Sequence, residues 1–176
     1  MAHFGPLLLQ GADQRLDQVV AVADDAGVER FVPCAASHSG FVAIELRRRH
    51  PERVPLLVHC DWYVVPPPPP YRGVLEQLTT EDGWQAARDR LFEIWRGGVE
   101  RPDVEDALAV MLRHDAAMWR RSGREIAAGY ARVGSPAEAW ATLDPPAPVL
   151  HVYGQPRDPA FLAAQEALAA EQPWFT

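Results

Sequence analysis

The hydrophobic pattern alternates between helical faces and short apolar runs. From Asp13 to Ala26 the apolar residues Leu16, Val19, Val20 and Ala23 recur at i, i+3, i+4 and i+7, which predicts an amphipathic helix. Asp13 is placed to cap its start and Gly27 to end it. Val28 to Ala35 reads as a strand buried on both faces, and Ser37 to Arg49 as a helix that stops before Pro51. Val54 to Cys60 is a second apolar strand, closed by Asp61-Trp62. The unit predicts two parallel strands joined by a helical crossover.

The five prolines Pro66 to Pro70 predict a stiff polyproline spacer that leaves the sheet. Tyr71 to about Leu143 is helical in pattern and rich in Trp. Gly97-Gly98 and Ser122-Gly123 are expected helix ends, and Gly134-Ser135-Pro136 restarts a helix with Pro in its first turn. Val149 to Tyr153 is a third apolar strand and Phe161 to Glu171 a last helix. The expected division is core 1–65, a helical cap 66–146 and core 147–176. A helical insert between strands of such a sheet sits over their carboxyl ends, where ligands bind.

Composition narrows the class. The chain has 176 residues, 48% of them apolar, and a net charge of −7. It is long enough for one domain burying roughly 70% of its unfolded surface. The acidic balance gives no reason to expect nucleic acid or an anionic membrane as a partner. All 17 basic residues are Arg, which fits a coding bias more than a function. Cys34 and Cys60 lie in apolar runs and are expected as two buried thiols in a reducing compartment. The start has no basic segment followed by a long apolar core, so a cytoplasmic protein is expected.

The chemistry gathers at two strand ends. An apolar run leads into Ser37 between small residues, Ala35 and Ser39, with Gly40 next, and a helical pattern follows at once. That is the layout of a nucleophile elbow, the tight strand-to-helix turn of α/β-hydrolases, written usually as Gly-x-Ser-x-Gly. An ordinary junction with Ser37 as a helix cap stands beside it. Asp61, at the end of the next strand, is a candidate acid, with capping of the following segment as its plain alternative; Asp158, in the loop after the third strand, is a rival. His59 and His151 lie in strands and are expected as satisfied core histidines; His50 and His114 are expected to face solvent. No histidine or cysteine spacing matches a metal site, so no metal is expected.

The chain resembles the cofactor-independent 2,4-dioxygenases of the α/β-hydrolase fold that open 3-hydroxy-4-oxoquinoline and 3-hydroxy-4-oxoquinaldine rings with loss of carbon monoxide. The resemblance runs from about Asp17 to Phe175. It is carried by Gly27-Val28-Glu29, Ser37-His38 and Asp61-Trp62, by Leu91 to Trp95 and Trp119 to Arg124 in the cap, and by Gly134-Ser135-Pro136, His151, Gln155-Pro156 and Gln172 to Phe175. It implies a partial α/β-hydrolase fold, a parallel sheet with a helical cap inserted between strands. It implies that Ser37 orients the substrate, that the His38 backbone N–H donates to an oxyanion with its side chain near the substrate, and that Trp62 and Trp95 help bind the aromatic ring. Trp95 reads equally well as cap core.

Asp61 would orient a histidine that removes the substrate hydroxyl proton, after which the anion reacts with O2 with no cofactor. The partners implied are a small aromatic substrate and O2, with no nucleic acid or membrane. The family's histidine lies beyond the equivalent of Trp174-Phe175, and no histidine stands there in this sequence, so the chain is expected to be shortened at both ends and incomplete or inactive. The competing readings are a serine esterase with Ser37 as nucleophile and a non-catalytic remnant that binds aromatic ligands. An elbow strand and a third strand without outer neighbours would leave sheet edges, predicting poor solubility or a homodimer through the exposed edge.

Overall fold

A computed structural model describes residues 9–154 and 159–176. Helix α1 spans Leu9–Asp25, so Asp13 lies inside the helix rather than at its start. Gly27 does end it: φ is +65°, and its turn lets Val28 N–H donate to Ala23 O at 2.8 Å. Strand β1 (Cys34–Ala36) then runs into a 3-10 turn, Ser37–Ser39, and helix α2 (Gly40–Arg49). β2 is Leu57–Cys60 and β3 is Val149–Val152. All three strands are parallel, in the order β1-β2-β3, with Ala35 opposite His59 and His59 opposite His151.

The register sorts the side chains into two faces, because alternate residues of a strand point to opposite sides. Ala35, Leu57, His59, Val149 and His151 are buried. They share a core with Leu16, Ile44, Leu46, Trp62 and Trp140, contributed by α1, α2 and the segments around them. The other face carries Cys34, Ala36, Leu150 and Val152, all exposed, with Val58 and Cys60 half-buried. The expectation of strands buried on both faces therefore fails: the described helices lie against one face only, and Leu150 and Val152 are 44% and 53% exposed. The two thiols are corrected for the same reason. Cys34 is exposed, Cys60 is half-buried, and their Sγ atoms sit 3.9 Å apart on the open face as two free thiols in hydrogen-bond contact. The outer edge of β3 is not bare either. Val149 N–H donates to Trp174 O and His151 N–H to Thr176 O at 2.8 Å, so residues 174–176 run parallel beside it.

Between β2 and β3 lie five helices: α3 (Pro69–Leu78), α4 (Trp84–Arg96), α5 (Pro102–Met111), α6 (Ala116–Val133) and α7 (Pro136–Ala141). The proline run is shorter as a spacer than its length suggests, because Pro69 and Pro70 enter the first turn of α3, where a missing N–H is harmless. Gly97 ends α4 in the left-handed conformation, as expected. Gly123 does not end a helix. It lies inside α6, where an added Cβ would meet Leu78 Cβ at 3.1 Å and Leu75 O at 3.2 Å. Its role is the close crossing of α6 over α3, beside a separate core of Leu78, Leu91, Phe92, Leu108 and Trp119.

Two buried polar groups fix the ends of this insert. Buried Arg47 of α2 donates to Val54 O and Pro145 O, both at 2.8 Å, and to Pro51 O, which joins the end of the insert to the core. Ser135, 1% exposed, caps α7 by accepting from Glu138 N–H and donating to Glu138 Oε2. Ser135→Ala is expected to lower stability by about 1 kcal/mol; a thermal melt of the variant against the parent checks it. Helix α8 (Pro159–Glu171) closes the chain, with Phe161 and Gln165 buried. No helix among the described residues is long and apolar enough to cross a membrane.

Candidate active site

The elbow is a true tight turn. Ser37 sits at φ +51°, a left-handed conformation that a side chain adopts only where the surroundings impose it. Ser39 Oγ donates to Ala36 O at 2.6 Å and helps close the turn. A helix cap would need extended backbone, so the plain reading of Ser37 as an ordinary N-cap does not fit. Gly40, the first residue of α2, touches Trp62 and His59 directly, which is why the small residue is needed there.

Asp61 is the second left-handed residue, at φ +48°. Its side chain is exposed and accepts from Gly154 N–H at 2.7 Å through Oδ1, and its own N–H donates to Val152 O at 2.9 Å. Its carboxylate thus faces the carboxyl end of the sheet, held from β3. The rival acid Asp158 and the motif residues Gln155-Pro156 lie outside the described residues.

Ser37, Asp61, Trp62, Tyr63, Tyr71, Ile94 and Trp95 line one cleft of about 60 Å³. A larger hollow of about 430 Å³ lies among α2, α6 and α7, rimmed by Glu45, Arg48, Arg132 and Glu138. It holds neither elbow nor strand-end acid, so chemistry rather than size selects the smaller cleft. Trp95, 37% exposed, is a wall of this cleft as well as a neighbour of Phe92, at 5.6 Å between ring centres. Trp62 is 4% exposed and packs edge-on to Phe41.

His38 is not among the residues lining the cleft. Its ring is half-buried within the field of the Arg15–Glu125 ion pair that joins α1 to α6. Burial, assisted by Arg15 and opposed by Glu125, holds it below the ordinary histidine value. Tyr63 and Tyr71 escaped the sequence reading. Their rings lie 4.7 Å apart, and burial together with Tyr63 pushes the Tyr71 phenol up to about 12, so it stays protonated as a donor. The signal was available: Tyr63 follows Asp61-Trp62 directly, and Tyr71 opens the first cap helix.

The histidines divide unexpectedly. His151 is satisfied, with Nδ1 2.9 Å from Gln165 Oε1 and Nε2 accepting from Trp62 N–H at 3.4 Å. His59 is not: it is fully buried and neither ring nitrogen has a partner among the described residues. Its environment is aromatic, stacked on Trp62 at 5.3 Å and tilted against Trp140 at 4.9 Å. The expectation of a satisfied core histidine is thus corrected for His59. His114 is exposed and His50 is partly buried.

No family model matches the chain. A 2-heptyl-3-hydroxy-4-quinolone dioxygenase of Rhodococcus erythropolis, AqdC1, is 32% identical over 167 residues, covering 94% of this chain and 60% of the relative. The solved structure of AqDC with its product, described as recognising and cleaving the ring of the Pseudomonas quinolone signal, superposes with a TM-score of 0.83 at 29% identity. It covers 99% of this chain and 64% of that one. The structure of 1H-3-hydroxy-4-oxoquinoline 2,4-dioxygenase gives a TM-score of 0.88 at 26% identity, over 93% and 63% of the two chains. The chain is a homologue of the 3-hydroxy-4-quinolone dioxygenases. It has the α/β-hydrolase fold, of which it holds a part: it spans about 60% of the length of the curated relatives it matches. An esterase from Thermogutta terrifontis, 19% identical with a TM-score of 0.59, shares the fold alone.

Proposed function

We propose that this chain carries the elbow, acid and aromatic wall of a site that binds a 3-hydroxy-4-quinolone for ring cleavage by O2. The observation that carries the reading is the convergence of two left-handed strand-end residues, Ser37 and Asp61, on one cleft walled by Trp62, Tyr71 and Trp95. A flat aromatic ring suits aromatic walls, and its oxygens suit the hydroxyl and backbone N–H groups of an elbow. Ser37 holds the ring by a hydrogen bond, with the His38 N–H as oxyanion donor. Asp61 orients a histidine base that takes the 3-hydroxyl proton, and the electron-rich anion then reacts with O2 with neither metal nor flavin.

Among the described residues no histidine nitrogen is bonded to Asp61. The base therefore has to approach the carboxylate from outside these contacts. The compartment that fits this reading is the cytoplasm, and a second copy laid along the free edge of β1 is the partner that fits the exposed strand. Sedimentation checks the dimer: a single monomeric species at high concentration refutes it.

The test is binding of 2-methyl-3-hydroxy-4-quinolone, followed by quenching of Trp fluorescence, together with O2 uptake and CO release. Ser37→Ala is expected to weaken binding about tenfold, the worth of one hydrogen bond to a developing anion. Where the chain turns over, Asp61→Ala is expected to reduce CO release by two orders of magnitude or more. Ester hydrolysis with fluorophosphonate capture of Ser37 would replace this reading with a serine hydrolase. Quinolone binding that persists in the Asp61→Ala variant without O2 uptake by either form would leave a ligand-binding role.

A further inference from the structure

Asp61 is held in a conformation that its own chain does not favour, and the contacts that hold it come from β3 and the residues just after it. Val152 O accepts the Asp61 N–H at 2.9 Å, Gly154 N–H donates to its Oδ1 at 2.7 Å, and His151 Nε2 accepts the N–H of the next peptide, that of Trp62, at 3.4 Å. The first two are backbone groups that any sequence supplies. The third depends on a side chain in one proton state.

We propose that His151 and Gln165 form a positioning relay that fixes the Asp61-Trp62 peptide and so aims the Asp61 carboxylate. A ring nitrogen that accepts from Trp62 N–H must be bare, so the proton of the neutral ring is on Nδ1. That N–H donates to Gln165 Oε1, 2.9 Å away on α8. The reversed arrangement is disfavoured: turning the Gln165 amide would set its NH2 against Nδ1 and force a proton onto Nε2, where it would face the Trp62 N–H donor to donor. The amide orientation, the tautomer and the peptide plane are thus one linked choice. Gln165 is 3% exposed and His151 7%, so water does not substitute for either. The ring is clamped flat by Tyr153, stacked at 4.9 Å, and flanked by Phe175. Among the described residues, the charged or titratable groups around it are Asp61 at the end of β2, His59 on β2 and Tyr153. Burial holds the ring below the ordinary histidine value, although the Gln165 bond and Asp61 oppose this, so the accepting form persists at neutral pH.

This inference rests on the assignment of Asp61 as the acid, and the experiment separates the two. Gln165→Glu keeps the shape and the acceptor but replaces a neutral carbonyl with a carboxylate that favours the imidazolium; His151→Phe removes the acceptor and keeps a flat ring. Long-range proton–nitrogen spectra of the parent are expected to show His151 in the Nδ1–H tautomer. In Gln165→Glu, His151 is expected to titrate at a higher pH than in the parent, because a carboxylate stabilises the imidazolium, and the Trp62 amide signal to move with the same midpoint while the Trp119 amide stays still. Below that midpoint, 2-methyl-3-hydroxy-4-quinolone is expected to bind this variant about tenfold more weakly, with the parent unchanged over the same range. His151→Phe is expected to move the Asp61 carboxyl carbon signal.

An Nε2–H tautomer in the parent, or a Trp62 amide and an Asp61 carboxyl that ignore both substitutions, overturns the relay. If the parent binds no quinolone, the proposed function fails, and the tautomer, amide and carboxyl readouts still decide the relay.

Discussion

Stability is expected to fall steeply as the pH drops from 6.5 towards 3. The cause is His59, fully buried against Trp62 and Trp140 with both ring nitrogens unpartnered. Burial, with a smaller contribution from His151, pushes its pKa from 6.5 down to about 3. In the unfolded chain the ring takes up a proton near pH 6.5, whereas in the folded chain it does so only near 3. Between those values the unfolded state binds more protons, so stability rises with pH across the window. The contribution is fully present above 6.5 and is lost progressively as the pH falls to about 3. At roughly 1.4 kcal/mol for each pH unit, the loss over the window is on the order of 5 kcal/mol, a large share of the stability of a domain this size.

His38 and His151 are also held below the ordinary value and add to the same slope. Urea unfolding at a series of pH values from 7.5 to 4.5 measures it. His59→Phe is expected to fit among the same rings, remove two orphaned nitrogens and flatten the slope. A parent and a His59→Phe variant with the same pH dependence would show that His59 is not its source.

Gly40→Ala is expected to destabilise the protein by about 3 kcal/mol or more. The backbone is no obstacle, since Gly40 has φ −54° at the start of α2. Space is the obstacle. An added Cβ would collide with Trp62 Cζ3 and lie 2.6 Å from His59 Nδ1, and both side chains are buried with Trp140 behind them. Relief by moving Trp62 would displace the residue next to Asp61, so the surviving folded fraction is also expected to bind quinolone poorly. Circular-dichroism melts of the single variant and of its combination with Trp62→Leu form the decisive cycle: the second substitution should recover part of the loss, because it removes the ring that the methyl strikes. A Gly40→Ala protein within 0.5 kcal/mol of the parent, by the same melts, would refute the close approach.

The residues explain which expectations succeeded. The elbow at Ser37 was legible because an apolar run, small residues and an immediate helical pattern are local requirements of the turn. Asp61 was legible because it ends a strand, and strand ends are where such sheets present polar side chains. The helix boundaries at Gly27, Gly97 and Gly134 were legible because a positive φ is a local demand. Gly123 was misread because its glycine answers to Leu75 and Leu78 on another helix, 45 or more residues earlier in the chain. The aromatic wall was half legible: Trp95 came from the resemblance, whereas Tyr63 and Tyr71 become its neighbours only when the proline run folds the cap back over β2.

By itself, then, the sequence determined the order of elements, the parallel strand–helix–strand unit, the turn at Ser37, the position of Asp61 at a strand end and the kinship with quinolone dioxygenases. These depend on spacing along the chain, which periodicity records. Only the tertiary structure decided which sheet face is covered, that Cys34 and Cys60 meet on the open one, that His59 is left unpaired while His151 is bonded on both sides, and that β3 grips Asp61. Those outcomes depend on which distant residues arrive at the same point, and an apolar strand reads alike whether one face or both are buried.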